Sequence, residues 1–243
     1  MNNIQKLFII CIFTIIVVGC SNDKSDLVEV KGDGLTYSEY FKNVDNLDER
    51  DNITYFKPVS LSVLDGILPP SMKNLFQALN TEQVPFEVHK ESVFLVKSGT
   101  ANETQHQLQI SYLDDNSDEF LIISVTESRD NPLDKYDFSN EHVDTVGNEL
   151  RKELLVDKMP MFHQVLSTNS ALLYQYYGYD ESKNRIITIG TAANEIYTYY
   201  NGFVYHVGYS FKGDNDELQR DMMITLTRDF ILGGRSSQGT SYK

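Results

Sequence analysis

Residues 7–18 are apolar at every position except Thr14, and they follow polar Asn2, Asn3 and Gln5 and the single cation Lys6. That is the layout of a secretory signal, a short charged start and an apolar run. The run is too short to span a bilayer, which takes roughly 20 apolar residues to cross about 30 Å. Residues 20–34 are then polar, charged and tipped by Gly32-Asp33-Gly34, the composition of a flexible tether. From Leu35 the chain turns aliphatic and aromatic. The pattern suggests a short helix over 36–44 and an extended stretch over 53–64, where Pro58 argues for an edge or irregular position. After the break at Leu68-Pro69-Pro70, Met72, Leu75, Phe76 and Leu79 recur at helical spacing, predicting a helix over 71–80.

Strand patterns dominate residues 92–126. Residues 92–97 are β-branched and aromatic, and Leu108, Ile110 and Tyr112 alternate with Gln107, Gln109 and Ser111. Residues 119–126 carry the apolar core Phe120-Leu121-Ile122-Ile123. Together they predict an antiparallel meander. Residues 128–140 are polar and contain Asn131-Pro132, marking a candidate division into two halves, and 141–158 has mixed periodicity, read as partly helical. Four more strands are expected at 171–177, 185–191, 195–200 and 203–211. Between the last two, Asn201-Gly202 favours the positive backbone angles of a type I′ turn. A two-residue loop pairs Tyr200 with Phe203, Thr198 with Tyr205 and Ile196 with Val207. Ile196, Tyr200, Phe203, Tyr205, Val207, Tyr209 and Phe211 then share one face, and Tyr197, Tyr199, Val204 and His206 the other.

A final helix is expected with Asp214 as N-cap and Glu217 three residues on. Leu218, Met222, Leu226 and Phe230 form its apolar stripe, and Gly233-Gly234 its stop. The predicted fold is thus an α+β domain over 35–232, mostly antiparallel β-sheet in two strand blocks, with a few packing helices including a C-terminal amphipathic one. The small, polar residues 233–243 are expected to form a disordered tail.

The apolar run ends in Val17-Val18-Gly19-Cys20. This sequence resembles the lipobox of bacterial lipoproteins. The resemblance implies that residues 1–19 are removed and that Cys20 carries a diacylglyceryl group. The protein would then be lipid-anchored on the extracytoplasmic face of a bacterial cell membrane. Alternatives are an ordinary secretory cleavage or an uncleaved anchor. Two or three acyl chains give stable attachment, at about 0.8 kcal/mol per buried methylene, where one chain alone is marginal. Cys11 would leave with the signal and Cys20 would be blocked as a thioether, so the remaining chain has no thiol for a disulfide, a nucleophile or a thiolate metal site. The aromatic hairpin followed by an amphipathic helix resembles the C-terminal part of Gram-positive lipoproteins of unknown function. That resemblance spans the last third of the chain, departs in the absence of tryptophan, and supplies no catalytic residues.

A net charge of −14 disfavours nucleic acid and any polybasic contact with anionic lipid. Asp114-Asp115-Asn116-Ser117-Asp118-Glu119 begins like a calcium loop, but Glu119 stands where glycine is needed and Val125 where a bidentate glutamate is needed, so it is better read as a turn. The five histidines, at 89, 106, 142, 163 and 206, show no close metal-ligand spacing, and there is no G-x-S-x-G, G-x-G-x-x-G or Walker sequence. No cofactor is expected. The compositional excess is tyrosine. A sheet face bearing Tyr176, Tyr197, Tyr199 and His206 is the candidate binding surface for a protein, peptide or glycan. The competing explanation is that tyrosine suits strands and fills the core. The leading expectation is a non-enzymatic binding or interaction lipoprotein. An envelope hydrolase using carboxylates and a chaperone-like carrier of hydrophobic ligands are the alternatives.

Overall fold

A computed structural model describes residues 27–36, 52–73, 79, 81–100, 103–116, 118–135, 147–167, 173–214 and 216–236. Cys20 and the signal segment, nearly all of the helix expected over 36–44, most of that expected over 71–80, and the tail from 237 lie outside them.

The described chain is mostly antiparallel β-sheet with one long helix near the C-terminus. A nine-stranded sheet runs in the order β1-β2-β3-β4-β5-β11-β10-β7-β6. Its strands are β1 (Glu29–Val30), β2 (Thr54–Phe56), β3 (Lys90–Thr100), β4 (Glu103–Leu113), β5 (Phe120–Glu127), β6 (Glu149–Val156), β7 (Met159–Val165), β10 (Asn194–Tyr200) and β11 (Phe203–Ser210). Strands β8 (Tyr174–Asp180) and β9 (Arg185–Thr191) pair only with each other in a separate hairpin. A four-residue helix α1 (Leu64–Ile67) follows β2, and α2 spans Glu217–Ser236. No described helix is long and apolar enough to cross a membrane.

The expected hairpin is present in the expected register: Tyr200 faces Phe203, Thr198 faces Tyr205 and Ile196 faces Val207, with Asn201 and Gly202 at φ 52° and 87°. Its Ile196, Phe203, Tyr205, Val207, Tyr209 and Phe211 face joins Leu108, Ile110, Leu121, Ile123 and Val125 in one core. Helix α2 covers that core with Met223, Ile224, Leu226, Phe230 and Ile231.

Several expectations are corrected. Across the candidate division at 128–140, β11 inserts beside β5 and pairs along its whole length, from Phe203 opposite Glu127 to Ser210 opposite Phe120. Of the stretch 53–64 expected to be extended, residues 61–64 are instead helical, a 3-10 turn at Leu61–Val63 running into α1. In the stretch 141–158, read as partly helical, the described residues from 147 on form β6 of the β6–β7 hairpin, turned at Asp157 with φ 50°. Part of the expected tether is structured: β1 pairs with β2, the Ile186 N–H donates to Lys31 O at 2.7 Å, and the Tyr55 hydroxyl donates to Gly34 O at 2.6 Å. Gly32 permits this approach, since a Cβ there would lie 2.6 Å from the Tyr55 ring.

Helix α2 also differs in detail. Asp216, not Asp214, caps it, its carboxylate accepting the Leu218 N–H at 3.1 Å. Leu218 is 74% exposed, because the first turn is held by charge, Glu217 to Arg151 and Arg220 to Glu149, rather than by the core. Gly233 and Gly234 do not stop it. The burial of Phe230 and Ile231 anchors the preceding turn and offsets the cost of two helical glycines, about 1 kcal/mol each.

Candidate binding cleft

The second face of the large sheet is polar where a water-facing strand would be polar, yet it is not in water. Gln107, Gln109 and Ser111 of β4, Ser124 and Thr126 of β5, and His206 of β11 are all buried. The β8–β9 hairpin lies over them, and its attachment is specific. Gln109 Nε2 donates to Tyr177 O at 2.9 Å and to Ser111 Oγ at 2.8 Å, while its Oε1 accepts the Tyr177 N–H at 2.7 Å. One side-chain amide thereby substitutes for a neighbouring strand along β8. The Tyr177 hydroxyl donates to Gln107 Oε1 at 2.7 Å, and Gln107 Nε2 donates to Thr36 O at 2.8 Å. At the other end the Tyr174 ring lies flat on Gly208, where a Cβ would come within 2.2 Å of it. Burial pushes the Tyr174 and Tyr177 hydroxyls well above the usual phenol range, so both remain neutral.

Beside this attachment, the hairpin and the sheet part to leave a cleft of about 400 Å³. Tyr176, Gly178, Ile187 and Ile189 form the hairpin wall, and Lys90, Ser92, Phe94, Ser111 and Leu113 the sheet wall. Lys57 to Ser60 border it after β2. Tyr176 is held in place by stacking on Phe120 at 5.8 Å and on Tyr174 at 6.1 Å. Burial raises its hydroxyl pKa. Lys57 and Lys90 are exposed, and neither forms an ion pair among the described residues; Lys57 sits over the Tyr179 ring at 5.7 Å. Glu91 also borders the cleft, but alternation along β3 sends its side chain toward the α2-covered face, where its charge acts on Tyr112. Glu181, at the hairpin turn, also borders the cleft and is exposed.

The tyrosine surface read from the sequence is corrected, because the β8–β9 hairpin covers the face that was to be open. Tyr197 is fully buried between Phe162 and His206, with ring centroids 6.1 and 6.2 Å away. His206 is 4% exposed and bonded through Nε2 to Glu195 Oε2 at 2.6 Å, with Glu195 at 1%. Tyr199 is half-buried, its hydroxyl 3.4 Å from the Ser128 and Arg129 carbonyls. Only Tyr176 reaches the cleft. Lys57, Lys90, Ser92, Phe94, Ile187 and Ile189 were not singled out from the sequence, and no spacing among them signals a shared site.

The other chemistry is structural. Ser124 lies cross-strand from His206, which is bonded to Glu195, but all three are buried and the Tyr174 ring packs edge-on to His206 at 5.0 Å, so the set offers no substrate access. The Asp114 carboxylate accepts the Glu119 N–H at 3.3 Å and Glu119 Oε1 accepts the Lys212 N–H at 2.7 Å, using these oxygens to close turns. Among the described residues no group of three His, Cys, Asp or Glu side chains is placed to hold a metal. Comparison of the chain with protein-family models, with curated proteins and with solved structures gives no match.

Proposed function

We propose that the chain is a non-enzymatic binding lipoprotein, an α+β domain held at the extracytoplasmic face of the cell membrane by lipid on Cys20. Its ligand is a small molecule seated in the cleft between the β8–β9 hairpin and strands β3 and β4. The anchor rests on the apolar run 7–18 and Val17-Val18-Gly19-Cys20. The observation that carries the binding reading is the cleft itself, whose volume of about 400 Å³ lies in the range of small-molecule sites, with apolar walls and a few polar groups at the mouth. A protein or glycan laid across an open tyrosine face is disfavoured, since Tyr176, Tyr197 and His206 are buried. The test is native mass spectrometry of the protein drawn from its own membranes, beside a Ser92→Trp variant that fills the cleft. A low-mass adduct on the wild type and its loss from the variant are expected, together with a diacylated Cys20. Identical unadducted masses would contradict the binding reading, and an unmodified Cys20 would contradict the anchor.

A further inference from the structure

The wall chemistry of the cleft points to a class of ligand, and this step rests on the binding reading above. We propose that the cleft takes a small amphipathic anion, its charged group held by Lys57 and Lys90 and its apolar body set against Tyr176, Ile187 and Ile189.

Three observations carry this. The chain bears 35 acidic and 21 basic residues, so a lysine has abundant acidic partners to choose from; yet Lys57 and Lys90 both border one cleft and form no ion pair among the described residues. Of the two acids that border the cleft, Glu91 is turned by the strand alternation to the opposite face of the sheet, and Glu181 lies exposed at the hairpin turn. Charges farther off than a Debye length of about 8 Å are largely screened at physiological salt, so the local lysines outweigh the distant negative surface. Secondly, Ser92 and Ser60 border the same space and carry hydroxyls able to donate to an anionic oxygen, Ser60 while accepting from Ser62 at 2.7 Å. Thirdly, the deeper lining is hydrocarbon and ring: Phe94 and Leu113 on the sheet, Tyr176, Ile187 and Ile189 on the hairpin. Tyr176 is fixed by its stack with Phe120 and Tyr174. A purely polar anion leaves this lining wet, and a purely apolar molecule leaves both ammonium groups without a counter-charge. An amphipathic anion satisfies both.

The experiment is a fluorescence titration of the full chain with two dyes of similar aromatic body, 8-anilinonaphthalene-1-sulfonate, which is anionic, and N-phenyl-1-naphthylamine, which is neutral. Near-UV circular dichroism run in parallel excludes dye uptake by a loosened core. The anionic dye is expected to bind one to one and at least tenfold more tightly than the neutral one. Lys57→Met and Lys90→Met are each expected to weaken the anionic dye about tenfold, roughly 1.4 kcal/mol, and to leave the neutral dye unchanged. Ser92→Trp, or Ile187→Trp should the first fail to fold, is expected to block both. Displacement by 1-naphthoate against 1-naphthyl phosphate then separates a carboxylate from a phosphate ligand. Equal affinities for the two dyes, or no effect of either lysine variant, would overturn the anion assignment while blockage by the tryptophan variant still upheld a binding cleft. Binding of both dyes undiminished by the tryptophan variants would overturn the cleft as a site altogether, and no binding of the anionic dye would overturn the anion assignment.

Discussion

Replacing Gln109 with leucine removes the clamp that seats the β8–β9 hairpin while keeping the side chain's bulk. Gln109 is fully buried, and its amide makes the hydrogen bonds that satisfy the Tyr177 N–H at 2.7 Å and the Tyr177 carbonyl at 2.9 Å. Leucine leaves both backbone groups buried without partners, and each such group costs about 1–3 kcal/mol. The Ser111 hydroxyl also loses the donor at 2.8 Å to its oxygen, while its own O–H stays free to donate elsewhere. The expected loss is therefore about 2–6 kcal/mol, a large share of the 5–15 kcal/mol by which a typical domain is stable. Equilibrium urea unfolding measures it: the midpoint falls with an unchanged slope if the hairpin stays docked, and a second, earlier transition appears if the hairpin detaches first. A loss under about 0.5 kcal/mol would refute the reasoning, since it would mean that water or another strand already satisfies Tyr177.

The same layer yields further expected outcomes. Gly208→Ala drives a methyl into the Tyr174 ring, and overpacking of this kind should cost at least about 1–3 kcal/mol in thermal or urea unfolding; a neutral result would show that Tyr174 is not seated on β11. His206→Ala leaves the buried Glu195 carboxylate without its 2.6 Å partner and should cost about 3–5 kcal/mol, whereas an exposed pair would cost under about 1. His163, buried against the Tyr209 hydroxyl at 2.8 Å, is held down to a pKa of about 3 by burial and by Arg151 and Arg220. Its unfolded pKa is about 6.5, so between these values the unfolded chain binds the extra proton. Stability should fall as pH drops below about 6.5, by about 1.4 kcal/mol per unit and about 2 kcal/mol by pH 5. His163→Gln should flatten that slope, and parallel curves for the two proteins would contradict the assignment.

The parts of this fold that sequence carried are those governed by local chemistry. Asn201-Gly202 needs positive φ, which fixes a two-residue loop, and the loop fixes every cross-strand pair of β10 and β11. The polar layer was not legible for a physical reason. Alternating Gln107, Gln109 and Ser111 excludes a hydrocarbon neighbour for that face but does not distinguish water from a second layer of backbone. Nothing in the composition of residues 174–191 says that this hairpin leaves the sheet to lie across it. The tyrosine assignment failed at the same step: alternation placed Tyr197 and His206 together on one face, and they do meet, but beneath Tyr174 rather than in solvent. Helix α2 was legible as an amphipathic element, with Met222, Leu226 and Phe230 packed on the core as the stripe requires, and was misread only at Leu218, because the stripe ignored the acidic and basic residues that pin its first turn. The cleft joins Lys57, Lys90 and Tyr176 from three distant stretches of chain: Lys57 and Lys90 meet where Val59 pairs with Val93, and Tyr176 joins them once β8 is clamped to β4.

The most direct test is a crystal structure of the protein isolated from its own membranes without added ligand. The account expects density for a small molecule between Tyr176, Ile187 and Ile189, with its charged end at Lys57 and Lys90. A water-filled cleft in that crystal, with a bound molecule held elsewhere on the chain, would contradict it.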